Sequence, residues 1–368
     1  MEKNISQDNE QTRQPRIGFT HGDINGIGYE IIIKTLIDAR IMDIITPVVF
    51  GISKVASYHR KTLNLQDFNF NLIKRIDAAN PKRPNIFNIY DREVKIDLGI
   101  STEIAGQMAH QSLIAAVDSM ERDEIDAIVT APINKKNIQS KDFTFPGHTE
   151  FFAHRYNVSD FLMLMIADSL RIGVITGHIP ISEVPGALSI DLVLSKTWIM
   201  HESLKRDFAI RKPKIAILGL NPHAGDNGLI GKEEQEIIIP AIKQAEEEGM
   251  LVYGPYSADG FFGSSNYKKF DGILAMYHDQ GMIPFKALDM DNGVNFTAGL
   301  PIVRTSPAHG TAYDISGKDL ANPDSMRAAV YLACDIVKNR MEWDELNKNP
   351  LVVEEDTKYN NSNNNHSS

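Results

Sequence analysis

The sequence predicts an α/β protein with largely parallel sheets, and two observations carry that prediction. Short runs rich in Ile, Val and Leu recur with continuous rather than alternating hydrophobicity, which suits strands covered on both faces. Segments with helical spacing separate them, and strand alternating with helix is the order of a parallel α/β fold. Ligands of such folds collect at the carboxyl ends of strands. A length of 368 residues allows a large core divided into two lobes.

Taken in order, the strand runs are "RIGFT" near 16, "TPVVFG" near 46, "IDAIVTA" near 125, "LRIGVITG" near 170, "KIAILGL" near 214 and "FDGILAMY" near 270. Between them, "AGQMAHQSLIAAVDSMERDE" places Ala109, Leu113, Ala116 or Val117 and Met120 on one stripe, leaving Gln111, Asp118 and Glu121 for water. "GKEEQEIIIPAIKQAEEEGM" also reads as a helix, with acids in its first turn, Gly249 near its end, and Pro240 as a bend or an early boundary. The polar stretches 1–14 and 353–368 read as mobile tails.

Composition narrows the function. A formal charge of -10 argues against a nucleic-acid-binding face, which needs clustered Lys and Arg. The single cysteine, Cys334 in "AAVYLACDIV", excludes a disulfide within the chain and a multi-cysteine zinc site, and reads as a buried small hydrophobe. With no leader-like N-terminus and no apolar run long enough for a bilayer, the expectation is a soluble cytoplasmic protein acting on a small molecule, without membrane partners.

Three strand-like runs end in histidine: "GVITGH" at His178, "AILGLNPH" at His223 and "GILAMYH" at His278. Separations of 45 and 55 residues are too wide for a zinc finger or a HExxH helix, but they suit an open site assembled from several loops. Neutral imidazoles could hold a divalent ion there, with Asp279 orienting one of them. Strand ends are polar in any case, so the residues alone leave both readings open. "HGDINGIGYE", residues 21–30, lacks the dinucleotide fingerprint and reads as a strand-to-helix turn. "TAPINKK", 130–136, offers Asn134 and Lys135 to a ligand or to solvent; in "FPGHTE", Thr149 fits a helix cap, with Glu150 in the first turn. Lys286, Asn295 and Arg304 supply an ammonium, an amide and a guanidinium suited to a phosphorylated or carboxylated ligand.

Together "GDINGIGYE", "TAPINK", "FPGHTEFFA", "GLNPHAG", "GPYSADGFF", "YHDQGMIPFK" and "VNFTAGLPIVRTSPAHGTAYDISGK" resemble the 4-hydroxythreonine-4-phosphate dehydrogenase family of pyridoxal phosphate biosynthesis, in family order and over nearly the whole chain between the tails. The resemblance implies a two-lobed α/β/α architecture of the isocitrate and isopropylmalate dehydrogenase type with the active site in the interlobe cleft. The expected lobes are 15–138 with 318–352, and 139–317. It also implies a homodimer with shared sites. Carried over by motif, His178, His223 and His278 are the ligands of one divalent ion per site, zinc, magnesium or cobalt. His148, Thr149, Lys286, Asn295 and Arg304 bind substrate.

The implied reaction is oxidation of 4-phosphooxy-L-threonine with NAD, or NADP, to 2-amino-3-oxo-4-phosphooxybutanoate, which decarboxylates to 3-amino-2-oxopropyl phosphate. Asp279, Lys286 and a metal-bound water are the candidates for the proton acceptor. The competing readings are a paralogous dehydrogenase of threonate or erythronate 4-phosphate, and a non-oxidative phosphate acyltransferase-like or ligand-binding protein. Sharing of the histidines across a dimer is expected to let His178→Ala and His278→Ala chains restore one another in mixed dimers. Three positions depart from the family pattern: Ile24 and Tyr29 replace prolines, and Asp226 replaces a glutamate.

Overall fold

The structure, a computed structural model, describes residues 13–349. The stretch 353–368 lies outside these residues. Of 1–14 only Arg13 and Gln14 are described, and both are tied to the body: Arg13 donates two hydrogen bonds to Asp126, and Gln14 donates to the Asp43 carbonyl.

The strands are β1 (Arg16–Thr20), β2 (Thr46–Gly51), β3 (Asn71–Ile73), β4 (Asn85–Asn88), β5 (Ala127–Thr130), β6 (Leu162–Ala167), β7 (Leu170–Thr176), β8 (Lys214–Leu218), β9 (Leu251–Tyr256), β10 (Gly272–Tyr277), β11 (Val294–Ala298) and β12 (Arg304–Pro307). Among the described residues they form one sheet in the order β3-β4-β2-β1-β5-β12-β11-β6-β7-β10-β8-β9. The first six in that order are mutually parallel, as are the last four. Between these wings, β11 pairs antiparallel with β12 and β6, and β6 pairs antiparallel with β7. An odd number of reversals leaves the two wings pointing in opposite directions.

The sheet is largely parallel, as expected, and departs from parallel pairing only at its middle. The physical source of that departure is a hairpin: Ala167 pairs with Leu170, and the linking Asp168 adopts φ 50°, the left-handed geometry that tight hairpin turns require. Ligands consequently have no single carboxyl edge at which to collect.

Continuous hydrophobicity does correspond to burial on both faces. Val49 packs into one core with the helices Gly28–Leu36 and Asp324–Leu346, while its neighbours Val48 and Phe50 pack into another with the helix Glu103–Glu121. In the other wing Leu274 and Met276 face the helix Ile190–Arg206, whereas Ile273 and Ala275 face the helix His278–Asp289. The α/β sandwich expected from the sequence is thus present. Cys334 is buried in the long final helix.

Local signals mostly act as expected. Glu103–Glu121 buries Ala109, Leu113, Ala116, Val117 and Met120, and Thr102 accepts the Ala105 N–H at its start. Pro240 follows directly on a π-helical turn over Glu234–Ile238, in which the Ile239 N–H bonds to the Glu234 carbonyl, so the proline marks a π-turn within one continuous helical run that ends at Glu247. In the 21–30 loop, Cβ atoms at Gly22 and Gly28 would lie 2.2 Å from the Pro132 carbonyl oxygen and 2.1 Å from that of His21, so these glycines permit close backbone packing. Among the described residues no helix is long and apolar enough to cross a membrane.

Candidate active site

A cavity of about 410 Å³ lies over the junction between the wings. Met163 and Met165 of β6, Asn295 of β11, and Arg304 and Ser306 of β12 form its floor. Thr130 and Lys135 approach from the β5 side, and His178 and His278 from the ends of β7 and β10.

Arg304 is the electrostatic centre of the floor. It is 3% exposed, and its guanidinium donates to Thr130 Oγ1 (2.8 Å), Ser306 Oγ (3.0 Å) and Asn295 Oδ1 (3.2 Å). All three acceptors are neutral. Burial lowers its pKa from 12.5 to about 9, and among the described residues no carboxylate forms an ion pair with it. A buried cation solvated only by neutral groups retains a need for an anion.

His148 begins the helix His148–Arg155 and is enclosed by the cavity walls. Burial, then the charges of Arg304 and Lys135, hold its imidazole well below the ordinary pKa, so it is neutral at pH 7. Its buried Nε2 has no hydrogen-bond partner among the described residues. Thr149 Oγ1 lies 3.5 Å from Thr297 Oγ1, and Lys286 enters the cavity from the third turn of the helix His278–Asp289.

The structure brings two of the three candidate metal ligands together. Thr176 Oγ1 donates to the Met276 carbonyl (2.7 Å), joining the ends of β7 and β10, and the His178 and His278 rings lie 5.4 Å apart. Partial desolvation, then Lys135 and His278, lowers the His178 pKa, which favours the neutral ligand form. His278 is the first residue of a helix rather than the last of a strand, and its Nδ1 contacts the Asp279 carboxylate at 2.7 Å. That contact fixes the ring while leaving Nε2 for a cation.

His223 is elsewhere. It is exposed, does not line the cavity, and begins a left-handed turn in which residues 223–227 all have positive φ. Buried Glu234 holds the start of this turn by accepting from the Asn221 backbone N–H (2.7 Å) and side chain (3.0 Å). Among the described residues no group of three or more His, Cys, Asp or Glu could hold a metal within one chain.

Residues not singled out by spacing complete the site. Thr130 and Ser306 hold Arg304, and Lys135, Glu150 and His309 line the cavity. His309 carries another buried, unpartnered Nε2. Lys135 and Glu150 were visible beside their motifs, but Thr130 and Arg304 are 174 positions apart and no local pattern links them.

The family model for Pyridoxal phosphate biosynthetic protein PdxA matches residues 43–333. The chain belongs to the PdxA family. A 4-hydroxythreonine-4-phosphate dehydrogenase of Bacteroides thetaiotaomicron is 52% identical over 337 residues, covering 91% of this chain and 92% of the relative. A protein of the same name from Sulfurihydrogenibium sp. is 41% identical, covering 86% and 97%. The crystal structure of 4-hydroxythreonine-4-phosphate dehydrogenase from Klebsiella pneumoniae matches with TM-score 0.77 at 34% identity, covering 89% and 99%. This chain therefore shares the PdxA fold over nearly its whole described length, and membership implies a dehydrogenase using a nicotinamide cofactor and a metal.

Proposed function

We propose that the chain oxidises the C3 hydroxyl of 4-phosphooxy-L-threonine with NAD, forming 2-amino-3-oxo-4-phosphooxybutanoate, which loses carbon dioxide to leave 3-amino-2-oxopropyl phosphate on the route to pyridoxal phosphate. The observation that carries this reading is Arg304, a buried cation without a carboxylate partner, facing the same cavity as Lys286 and two adjacent histidines. A phosphorylated acid supplies the missing negative charge.

The donor set fits a divalent cation: two imidazoles side by side, one oriented by a carboxylate. His178 and His278 would hold it from one chain, with His223 supplied by the partner subunit of a homodimer. Zinc, magnesium and cobalt remain the candidate metals. When bound, such an ion supplies Lewis-acid stabilisation of negative charge on the substrate, and the nicotinamide accepts hydride.

The chain's own residues bind and orient. Arg304 and Lys286 bind the substrate's anionic groups, and Asn295 and Ser306 hold the guanidinium in place. Neutral His148 offers a hydrogen bond without adding repulsion against Arg304. The Asp279 carboxylate turns to His278 and does not line the cavity, so we read it as a positioning residue; Lys286, as the ammonium that binds an anion, has no lone pair for the hydroxyl proton. We read the two parallel wings as the lobes flanking this cleft.

An NADH-absorbance assay with phosphorylated hydroxy acids, with and without a chelator, tests the proposal. NADH should form with 4-phosphooxy-L-threonine and stop on chelation. Turnover confined to threonate or erythronate 4-phosphate would assign a paralogous activity, and absence of NADH with all three would overturn the dehydrogenase reading.

A further inference from the structure

Glu150 stands out in a cavity otherwise rich in positive charge. Lys135, Lys196, Lys286 and Arg304 all line it, and among the described residues Glu150 is its only carboxylate. Lys196 is engaged by Asp160 and the Phe161 carbonyl. Glu150 is not engaged: among the described residues its carboxylate accepts no side-chain hydrogen bond and joins no ion pair. Glu150 and Lys135 both lie over Gly147, where a Cβ would be 3.4 Å from Glu150 Oε2 and 3.7 Å from Lys135 Cε.

We propose that Glu150 binds the α-ammonium group of the substrate, and so makes the site prefer an amino acid phosphate over the 2-hydroxy acid phosphate of the same carbon skeleton. This rests on the dehydrogenase reading above. In 4-phosphooxy-L-threonine the ammonium is on C2, one bond from the carbon that loses hydride, so its partner must sit beside the histidines. Glu150 does: it lines the same cavity as His178 and His278, and its negative charge acts on both His178 and Arg304. Phosphate and carboxylate account for the cations, and the ammonium accounts for the one acid. The competing structural role is charge stabilisation of the first turn of the helix His148–Arg155. Loss of that role would affect both substrates alike, because it acts through the helix.

The test compares kcat/KM and KM for 4-phosphooxy-L-threonine and threonate 4-phosphate in the wild-type enzyme, Glu150→Gln and Glu150→Asp, with NAD and saturating divalent metal. Loss of a charge-assisted hydrogen bond lowers the amino-to-hydroxy preference by about ten- to hundredfold in Glu150→Gln. The change is expected mainly in KM for the amino acid, and Glu150→Asp, which keeps the charge, should retain part of the preference. Equal losses on both substrates, or an unchanged ratio, in a wild-type enzyme that oxidises the amino acid overturn this inference alone. A wild-type enzyme that oxidises neither compound overturns the dehydrogenase reading and the inference with it.

Discussion

Replacing Arg304 with methionine separates a ligand-binding cation from a structural one. The side chain is 3% exposed and held by Thr130, Asn295 and Ser306, without a carboxylate. The fall of its pKa from 12.5 to about 9 corresponds to on the order of 5 kcal/mol of uncompensated burial in the ligand-free chain. Arg304→Met removes that cost while keeping an unbranched side chain of similar reach. It also strips hydrogen bonds from three polar groups, at about 1–3 kcal/mol for each that water cannot reach.

The opposing terms are similar in size, so the urea midpoint of the ligand-free variant should stay near that of the wild type. Binding should not be spared. Removing one partner of a buried charge pair costs about 2–5 kcal/mol, which raises the KM for the phosphorylated substrate by about 30- to 5,000-fold. Urea titration with and without substrate reads both effects: substrate should stabilise the wild type and leave the variant nearly unmoved. A variant that loses several kcal/mol of stability yet keeps its substrate affinity would refute the reasoning and make Arg304 a structural tie.

Asp279→Asn should lower metal affinity by about 10- to 100-fold, measured by chelator competition, while turnover recovers at saturating metal, because Asp279 orients His278; an unchanged affinity would show that the contact does not tune the ligand. Mixed dimers of His223→Ala and His278→Ala chains should regain activity. The combination of His178→Ala with His278→Ala should not, since both rings lie in the same chain and each mixed site would lack one of them; activity in that second mixture would break the proposed arrangement. Burial depresses His21 and His59 to about 4, so as pH falls below 6.5 the unfolded chain takes up protons before the native one. Stability should be full above pH 6.5 and fall progressively towards pH 4, by on the order of 3 kcal/mol per histidine at the lower limit. His59→Gln should lose less urea midpoint between pH 7 and 5 than the wild type, the remaining slope coming from His21 and the other depressed histidines such as His148, and an identical pH slope would exclude His59 as a cause.

The reversal of the complementation expectation shows where sequence reasoning reached its limit. The strand-end context identified His178, His223 and His278 as similar residues, but it carried no information about which lie together. Sheet order places β10 between β7 and β8, and loop conformation decides the rest: His178 and His278 stay side by side, whereas His223 turns away after β8 in a left-handed loop. The same holds for Tyr29, which departs from the family's proline. Its ring stacks between His21 and His59 with centroids 5.0 and 5.2 Å away, and its hydroxyl accepts the Ile52 N–H, a role no turn propensity encodes.

By itself the sequence determined six of the twelve described strands, two of the helices and the family, because hydrophobic period, helix caps and ordered motifs are short-range properties that survive without knowledge of contacts. Only the tertiary structure decided that two parallel wings oppose one another across antiparallel strands, and that Arg304 reaches Thr130 across 174 positions. The reason is that strand register and pairing bring distant side chains within a few ångströms, and those distances set the charge, burial and exposure from which chemistry follows.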